Sequence, residues 1–457
     1  QVLEVVQATR ATVVQAGNWV QASIDHDMKN RIDGVALIDC AKLYNDSEYL
    51  LGFLLSNESY TQDDSLTWLS GVLANHRTCL DGLNEKGNVE AHAGAQNLTF
   101  LISEAMALYE KGRGIRIGFA RRPKSEQNEG MLVSWNPVTS KADFVVAKDG
   151  SGTHKTIKEA VAALAGMGDR RPQRVIIYVK SGVYDEKVEI GRNMKNVMFV
   201  GDGIDRTIVT GNRNVPDGDT TYSSATFGVS GDGFWTRDVT FENTAGPQKH
   251  QAVALVVKSD LSVFYRCSFR GYQDTIWVHS LRQFYRDCHI YGTIDFIFGD
   301  ASALFQNCDI FVRRPLDHQT NIVTAQGRDD PKETTGILIQ DSRVRPAPEF
   351  VAVKNSYKSY LGRPWKKYSR TVFLKTDLDG LVHPQGWREW KGSFALSTLY
   401  YAEYMNTGSG AYTANRVKWP GFHVLNSPQE ASQFTVSRFI QGQTWIPAAG
   451  VPFSLGI

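Results

Sequence analysis

Hydrophobic residues in the first part of the chain recur every three to four positions, the spacing of one face of an α-helix. The pattern predicts helices that begin near Val2, Val35, Ser65 and Asn97. The third is predicted to start at the cap-like cluster Asp63-Asp64-Ser65. Short polar connections between them favour an antiparallel four-helix bundle over residues 1–116.

Residues 117–141 lose this periodicity. They are polar and charged and contain Pro and Gly, which predicts a linker. Within it, Arg121-Arg122 is a candidate site for a processing protease, because exposed linkers are where chains are cut most readily.

From residue 142 to 457 the hydrophobic runs shorten to three to five residues and are separated by Gly, Asp and Asn, which predicts strands. A segment repeats at a period near 20: Phe264-Tyr265-Arg266-Cys267, Phe284-Tyr285-Arg286-Asp287-Cys288 and Phe305-Gln306-Asn307-Cys308. This period is too short for a βαβ unit and suits one coil of a solenoid. The helical stretch from Thr156 to Leu164 is predicted to cap the solenoid's end.

Polar residues follow a related interval in the same region. Gln251, Gln273 and Asp295 are 22 residues apart, and Asp274 adjoins Gln273. Equivalent positions on successive coils lie about 4.8 Å apart, so these side chains are predicted to stack on one face as a candidate active site. The alternative from the residues alone is a structural ladder of amides.

Composition adds an asymmetry. The chain is 42% hydrophobic and 21% charged, typical of a folded protein, and no apolar run approaches the length of a membrane span. Residues 1–120 hold 9 basic and 15 acidic residues, a net charge of −6, which leaves +8 for the rest. Opposite charge favours attraction between the two halves, and the basic half suits a polyanionic substrate. The alternative is that the charges only solvate two surfaces. No nucleic-acid partner is expected.

Cysteine, histidine and asparagine positions bear on the environment. Cys40 and Cys79 lie on predicted helices, where they either form a disulfide or remain two buried thiols. The histidines share no metal-ligand spacing, so neither a metal nor a cofactor is expected. Sequons permit glycosylation in a secreted protein, at Asn45, Asn57 and Asn97.

Several longer motifs occur together and in order: Gly271-Tyr272-Gln273-Asp274-Thr275, Gly292-Thr293-Ile294-Asp295-Phe296-Ile297-Phe298-Gly299 and Leu361-Gly362-Arg363-Pro364-Trp365. With them the chain resembles plant pectin methylesterases from about Ala142 to Phe453. The segment Asn75-His76-Arg77-Thr78-Cys79-Leu80-Asp81-Gly82-Leu83 makes the first domain similar to the pectin methylesterase inhibitor domain. The resemblance implies a right-handed parallel β-helix after the bundle, and a secreted cell-wall esterase of plants that acts on methylated homogalacturonan.

The resemblance also implies roles for individual residues. Asp295 is the expected nucleophile and Asp274 the proton donor and acceptor. Gln251 and Gln273 are expected to stabilise the oxyanion, and Arg363 to orient Asp295. Substrate contacts are expected from four residues: Thr221, Gln251, Arg363 and Trp365. The bundle is expected to act as an inhibitory or chaperone-like pro-region that contacts the enzyme within one chain or between chains.

The family pattern further implies a disulfide between Cys288 and Cys308, whereas spacing alone makes Cys267 with Cys288 equally feasible. The chain departs from the pattern in three respects. An N-terminal helical hairpin with its cysteine pair would lie before Gln1. The leucines usual after the dibasic pair are missing, and Trp277 and Leu281 replace the more usual Tyr and Asn.

Two other functions compete with the esterase. The first is a pectate lyase on a similar solenoid, which needs calcium-binding carboxylates and a basic proton abstractor. The second is a non-enzymatic pectin-binding or inhibitory protein whose useful part is the bundle. The presence of Gln273, Asp274, Asp295 and Arg363 favours the esterase.

Overall fold

The structure, a computed structural model, describes residues 1–27, 32–88, 95–112 and 130–457. The predicted dibasic site Arg121-Arg122 lies outside these ranges. The four predicted helices are confirmed as α1 (Val2–Asp27), α2 (Gly34–Leu55), α3 (Gln62–Glu85) and α4 (Ala95–Glu110). Each contacts two neighbours, α1 with α2 and α4, and α3 with α2 and α4, so the four close into a bundle around an apolar centre.

Helix α3 begins earlier than the sequence pattern predicted. Thr61 is its N-cap: the Thr61 side chain accepts a hydrogen bond from the Asp64 N–H, and the Asp64 side chain accepts one from the Thr61 N–H. This reciprocal capping box satisfies two donors that the helix end would leave unpaired. The predicted cap at Asp63-Asp64-Ser65 is therefore wrong by two residues. The disulfide Cys40–Cys79 is present and links α2 to α3.

Residues 130–457 form short helices and short strands. The helices are α5 (Met131–Ser134), α6 (Ile157–Ala165), α7 (Pro428–Ala431), α8 (Val436–Phe439) and α9 (Ile446–Ala449). The strands are β1 (Phe144–Val146), β2 (Val175–Val179), β3 (Gly182–Asp185), β4 (Val188–Ile190), β5 (Val197–Gly201), β6 (Thr207–Thr210), β7 (Phe227–Val229), β8 (Trp235–Arg237), β9 (Thr240–Glu242), β10 (Leu255–Val257), β11 (Ser262–Tyr265), β12 (Ser268–Arg270), β13 (Ile276–Val278), β14 (Arg282–Arg286), β15 (His289–Gly292), β16 (Ile297–Gly299), β17 (Ser302–Gln306), β18 (Asp309–Val312), β19 (Asn321–Gln326), β20 (Gly336–Gln340), β21 (Arg343–Pro346), β22 (Ser359–Gly362), β23 (Arg370–Leu374), β24 (Asp377–Leu378), β25 (Tyr400–Tyr404) and β26 (Phe422–Val424).

These strands make three parallel sheets. The rear sheet has the order β1-β2-β5-β8-β11-β14-β17-β20-β23-β25-β26, the front sheet β22-β19-β16-β13-β10-β7-β4, and the side sheet β24-β21-β18-β15-β12-β9-β6-β3. In the middle of the domain each coil contributes one strand to each sheet, for example β11, β12 and β13. The chain is thus a right-handed parallel β-helix preceded by helices, as the sequence predicted.

Identical positions on successive coils stack inside the solenoid. Phe264, Tyr285 and Phe305 form a stack with ring centroids 4.7 and 4.3 Å apart. α6 packs against β1 and β4 at one end, in agreement with the predicted cap. α7, α8 and α9 pack on the rear sheet, so the tail closes the back of the solenoid. Among the described residues no helix is long and apolar enough to cross a bilayer.

The predicted disulfide Cys288–Cys308 is wrong. Cys267, Cys288 and Cys308 are free buried thiols, one on each of three successive coils. Each thiol instead donates a weak hydrogen bond to a backbone carbonyl, such as Cys288 to the Arg286 oxygen at 3.3 Å. In-register side chains in a parallel sheet lie about 4.8 Å apart, whereas a disulfide needs Cβ atoms about 3.8 Å apart.

Part of the predicted linker packs on the solenoid. Trp135, which follows α5, is buried beside the rear sheet. Arg237 Nε donates to the Leu132 carbonyl at 2.6 Å, and its Nη2 donates to the Trp135 carbonyl. This end of the predicted linker therefore packs against the solenoid, whose first strand is β1 (Phe144–Val146).

Candidate active site

The strand register decides which polar side chains meet on the front sheet. Leu255 pairs with Ile276, and Ile276 with Ile297, so the register advances by 21 residues per coil here. Asp274 and Asp295 each lie two residues before their strand and are therefore in line. The 22-residue interval is wrong for Asp295: it brings only Gln251 and Gln273 into register, where an isolated parallel bridge joins them.

Both aspartates lie in tight turns with left-handed backbone, φ 62° at Asp274 and 50° at Asp295. Aspartate tolerates this conformation better than most side chains, because its short carboxylate bonds locally. The Asp274 N–H donates to the Ile294 carbonyl at 3.0 Å, which ties the two turns together. The repeated turn thus presents two buried carboxylates at one edge of the front sheet.

Arg363 joins this pair from the end of β22. Its Nε donates to Asp295 Oδ1 at 2.8 Å and its Nη2 to Asp295 Oδ2 at 2.6 Å. Such a two-point pair fixes the plane of the carboxylate as well as its position. The guanidinium also lies 4.2 Å from the ring centre of Trp390. Arg363 is therefore the charged partner of the Asp295 carboxylate.

The two carboxyl groups differ in their acidity. Burial raises the pKa of Asp274 well above its usual range, and the charge of Asp295 raises it further. Burial also raises the pKa of Asp295, but there the Arg363 guanidinium opposes it through charge and hydrogen bonds. Asp274 is therefore the carboxyl group whose neutral form is favoured more strongly, and Asp295 is the one whose charge is opposed by a neighbouring cation.

An aromatic surface borders the acids. The indole of Trp277 stacks on Phe298 with centroids 4.9 Å apart, and Trp365 contacts both rings edge-on at 6.1 and 5.8 Å. Gly327 makes room for Trp365, since a Cβ there would lie 2.9 Å from the indole. Trp277, noted as a departure from the family pattern, therefore extends the surface on which Trp365 sits.

The bundle covers this site. A cavity of about 260 Å³ is walled on the solenoid side by Gln251, Gln273, Asp274, Asp295, Arg363 and Trp365, and on the bundle side by Asp39, Thr78, Asp81, Gly82 and Glu85. Glu85 accepts hydrogen bonds from the N–H of Thr221 at 2.9 Å and from its hydroxyl at 2.8 Å. The residue predicted to contact substrate is therefore bound by a carboxylate of the bundle.

Ion pairs join the two domains, and in most of them the bundle supplies the acid. They are Asp64 with Arg282 at 2.8 Å, Asp81 with Lys366 at 2.9 Å, and Asp46 with Lys258 at 2.5 Å and Arg192 at 3.3 Å. Arg77 with Asp329 and Lys42 with Glu189 have the opposite polarity. The charge asymmetry of the sequence thus becomes direct pairing across the interface.

Leu281 is the contact that sequence reasoning missed. It belongs to the solenoid, yet it is 1% exposed and packs into the bundle's apolar core. Gly71 of α3 leaves the space, since a Cβ there would lie 2.9 Å from Leu281 and from Leu50. The backbone at Leu281 is left-handed, φ 71°, which is unfavourable for leucine. The signals in the sequence were the departure from the family pattern at Leu281 and a glycine within a helix, and neither indicated a contact between the domains.

Two adjacent carboxyl groups, one of them held by an arginine, have the chemistry that hydrolysis of a carboxylic ester requires, a nucleophile beside a proton donor. The family model "Pectinesterase" matches residues 143–443, and the model "Plant invertase/pectin methylesterase inhibitor" matches residues 3–108. The chain belongs to the pectinesterase family and carries an inhibitor-type domain before its catalytic domain.

Individual proteins that are similar to this chain bear the names of the same family. An Arabidopsis thaliana protein named "Probable pectinesterase/pectinesterase inhibitor 36" is 61% identical over all of this chain and 94% of its own length. "Pectinesterase 2" of Citrus sinensis is 50% identical over 98% of this chain and 86% of its own. The solved pectin methylesterase from carrot is 52% identical, with a TM-score of 0.68, and covers 70% of this chain and 99% of its own. These matches favour the esterase over the pectate lyase.

Proposed function

We propose that the chain hydrolyses methyl esters of galacturonate units in pectin, with Asp295 as the nucleophile. The observation that carries the assignment is the two-point Arg363–Asp295 pair with Asp274 in line beside it. A carboxylate held in one orientation beside a protonated carboxyl group supplies both the nucleophile and the acid that an ester needs.

The steps follow from this division. Asp295 attacks the ester carbonyl, and the amides of Gln251 and Gln273 donate hydrogen bonds to the oxyanion. The carbon–oxygen bond to the methoxy group breaks as Asp274 gives it a proton, which releases methanol and leaves an acyl-enzyme. Asp274 then takes a proton from water, the water oxygen attacks the acyl carbon, and the acid product leaves with Asp295 restored.

The bundle, in its docked position, is proposed to keep this site closed to pectin. The support is the Glu85–Thr221 contact, together with the bundle wall of the cavity. Activity then requires that the bundle leave, either by undocking or after a cut between the domains near Arg121-Arg122. A plant cell-wall location is proposed on the disulfide Cys40–Cys79 and on the plant relatives. Exposure of the sequon residues Asn45, Asn57 and Asn97 agrees with glycosylation.

The test compares methanol release from methylated pectin by the full chain and by residues 130–457. The shortened chain should be active and the full chain much less so. Asp295→Asn should remove activity from the shortened chain while its melting curve is unchanged. A matched control is Asp341→Asn, which makes the same change at another left-handed turn, φ 50°, and should be harmless. Turnover by the Asp295→Asn variant would overturn the nucleophile assignment, and equal activity of the two chain lengths would overturn inhibition.

A further inference from the structure

A second cavity of about 430 Å³ lies between α2 and the solenoid. Tyr222 lines both this cavity and the one that holds the catalytic carboxylates, so the two adjoin across its ring. Gln251 precedes β10 and Lys258 directly follows it, so a single strand connects the catalytic site to the second cavity. Seven residues of extended chain reach at most roughly 23 Å.

Two cations of the solenoid meet at this cavity and share one carboxylate from the bundle. Lys258 Nζ donates to Asp46 Oδ2 at 2.5 Å, and Arg192 Nε donates to Asp46 Oδ1 at 3.3 Å. Both cations are almost completely buried. Arg192 has further partners on the solenoid, Asp232 at 3.2 Å and the Lys258 carbonyl at 3.1 Å.

Lys258 differs from Arg192 in the partners of its charged group. Among the described residues, Asp46 is the carboxylate with which its ammonium forms an ion pair. A buried ammonium is costly unless it is paired. When the bundle leaves, the ammonium loses this partner and faces the opened second cavity. The centre of the Tyr222 ring lies 5.0 Å from the ammonium nitrogen.

The other charged residues that line the second cavity follow the same division, with mostly cations on the solenoid side and mostly acids on the bundle side. On the solenoid side the charged lining residues are four cations and two carboxylates: Lys187, Arg192, Arg213, Lys258, Glu189 and Asp219. The bundle side contributes two acids and one base, Asp39, Asp46 and Lys42. Departure of the bundle therefore leaves an exposed wall with an excess of two positive charges.

We propose that Lys258 and Arg192 form a carboxylate subsite of the released enzyme, which takes an unesterified galacturonate unit of the same pectin chain whose methyl ester lies at Asp295. Asp46 of the docked bundle occupies this subsite in place of that carboxylate. The inference rests on the proposed function, since the subsite opens only when the bundle leaves. It makes partly de-esterified pectin a better substrate than fully methylated pectin, because only the former has a free carboxylate to place there.

The test measures kcat/KM of the full chain on half-de-esterified and on fully methylated pectin and takes their ratio. The fraction of molecules with an open bundle scales both values equally and cancels. Lys258→Met should lower the ratio about tenfold, the scale of one charge-assisted hydrogen bond. Lys258→Arg keeps the cation and should preserve the ratio. A control is Lys375→Met, an exposed lysine on the turn after β23, which should change nothing.

Two further measurements separate this proposal from inhibition by the bundle. Asp46→Asn leaves the subsite intact and should raise both rates by the same factor. If both rates of Asp46→Asn equal those of the parent while Lys258→Met still lowers the ratio, the proposed subsite is supported and inhibition by the bundle is refuted. An unchanged ratio in folded Lys258→Met overturns the subsite. Independently of any variant, unesterified galacturonan fragments should inhibit parental turnover of fully methylated pectin, and no inhibition at saturating fragment overturns it too.

Discussion

Replacement of Leu281 by asparagine should release the bundle and activate the full chain. In the docked state the leucine side chain is buried in the bundle's core, between α3 at Gly71 and α2 at Leu50. Undocking exposes it to water. The substitution removes an apolar contact from the interface and leaves an amide against apolar neighbours, while the catalytic side chains are unchanged.

The magnitude follows from the burial. Burying a leucine side chain stabilises by about 1.5–3 kcal/mol, and burying an amide without a partner costs about 1–3 kcal/mol. We take about 3 kcal/mol as the combined effect, which shifts the docking equilibrium roughly 150-fold toward the open state. Asparagine also tolerates the left-handed backbone at residue 281 better than leucine does, so the solenoid itself should not be weakened.

The assay is methanol release from methylated pectin by the full chain, with residues 130–457 as the fully open reference. Leu281→Asn should approach the reference rate. Leu261→Asn is the matched control, because Leu261 also has a left-handed backbone, φ 58°. Its side chain packs with the apolar residues between the rear sheet and the C-terminal helices, and not with the core of the bundle. A Leu281→Asn chain that is no faster than the parent, while residues 130–457 are active, would refute this account of docking.

Three other outcomes are expected. Glu85→Gln should raise the rate of the full chain about fivefold, measured by methanol release, because one charged acceptor for a solenoid N–H is lost; no change would mean that this contact does not hold the bundle. Arg363→Met should move the acidic limb of the pH–rate profile of residues 130–457 to higher pH, because the guanidinium no longer opposes the burial that raises the pKa of Asp295, the group that must be ionised; an unmoved limb would contradict the pairing. Replacing Cys40 and Cys79 by serine should lower the free energy of unfolding of the bundle by about 4 kcal/mol for a loop of 39 residues, measured by urea denaturation, and leave the solenoid transition in place.

Sequence pattern alone predicted the helices and the solenoid, and the resemblance to the pectin methylesterases marked Asp274 and Asp295 as the candidate catalytic residues. Helical periodicity and coil repeats arise from local geometry, which neighbouring residues determine, so they are visible without long-range information. The motifs around Asp274, Asp295 and Arg363 further predicted which side chains would share a site. The structure brings together Asp295 and Arg363, which are 68 residues apart in the chain.

Tertiary structure decided which residues are in register and whether the cysteines of the solenoid are bonded. A register of 21 rather than 22 residues placed Asp274, not Gln273, in line with Asp295, because backbone pairing between coils sets register. The strand spacing kept Cys288 and Cys308 apart as thiols, although the family pattern implied a bond.

The position of the bundle depended on contacts between residues far apart in sequence, such as Gly71 with Leu281 and Glu85 with Thr221. Charge totals predicted that the two domains attract each other, since net charge can be read from composition. They contain no information on which surfaces meet, because that depends on the shapes and partners of individual side chains once both domains have folded. The sequence by itself therefore determined the two folds and the candidate catalytic residues, and only the tertiary structure placed the bundle over them.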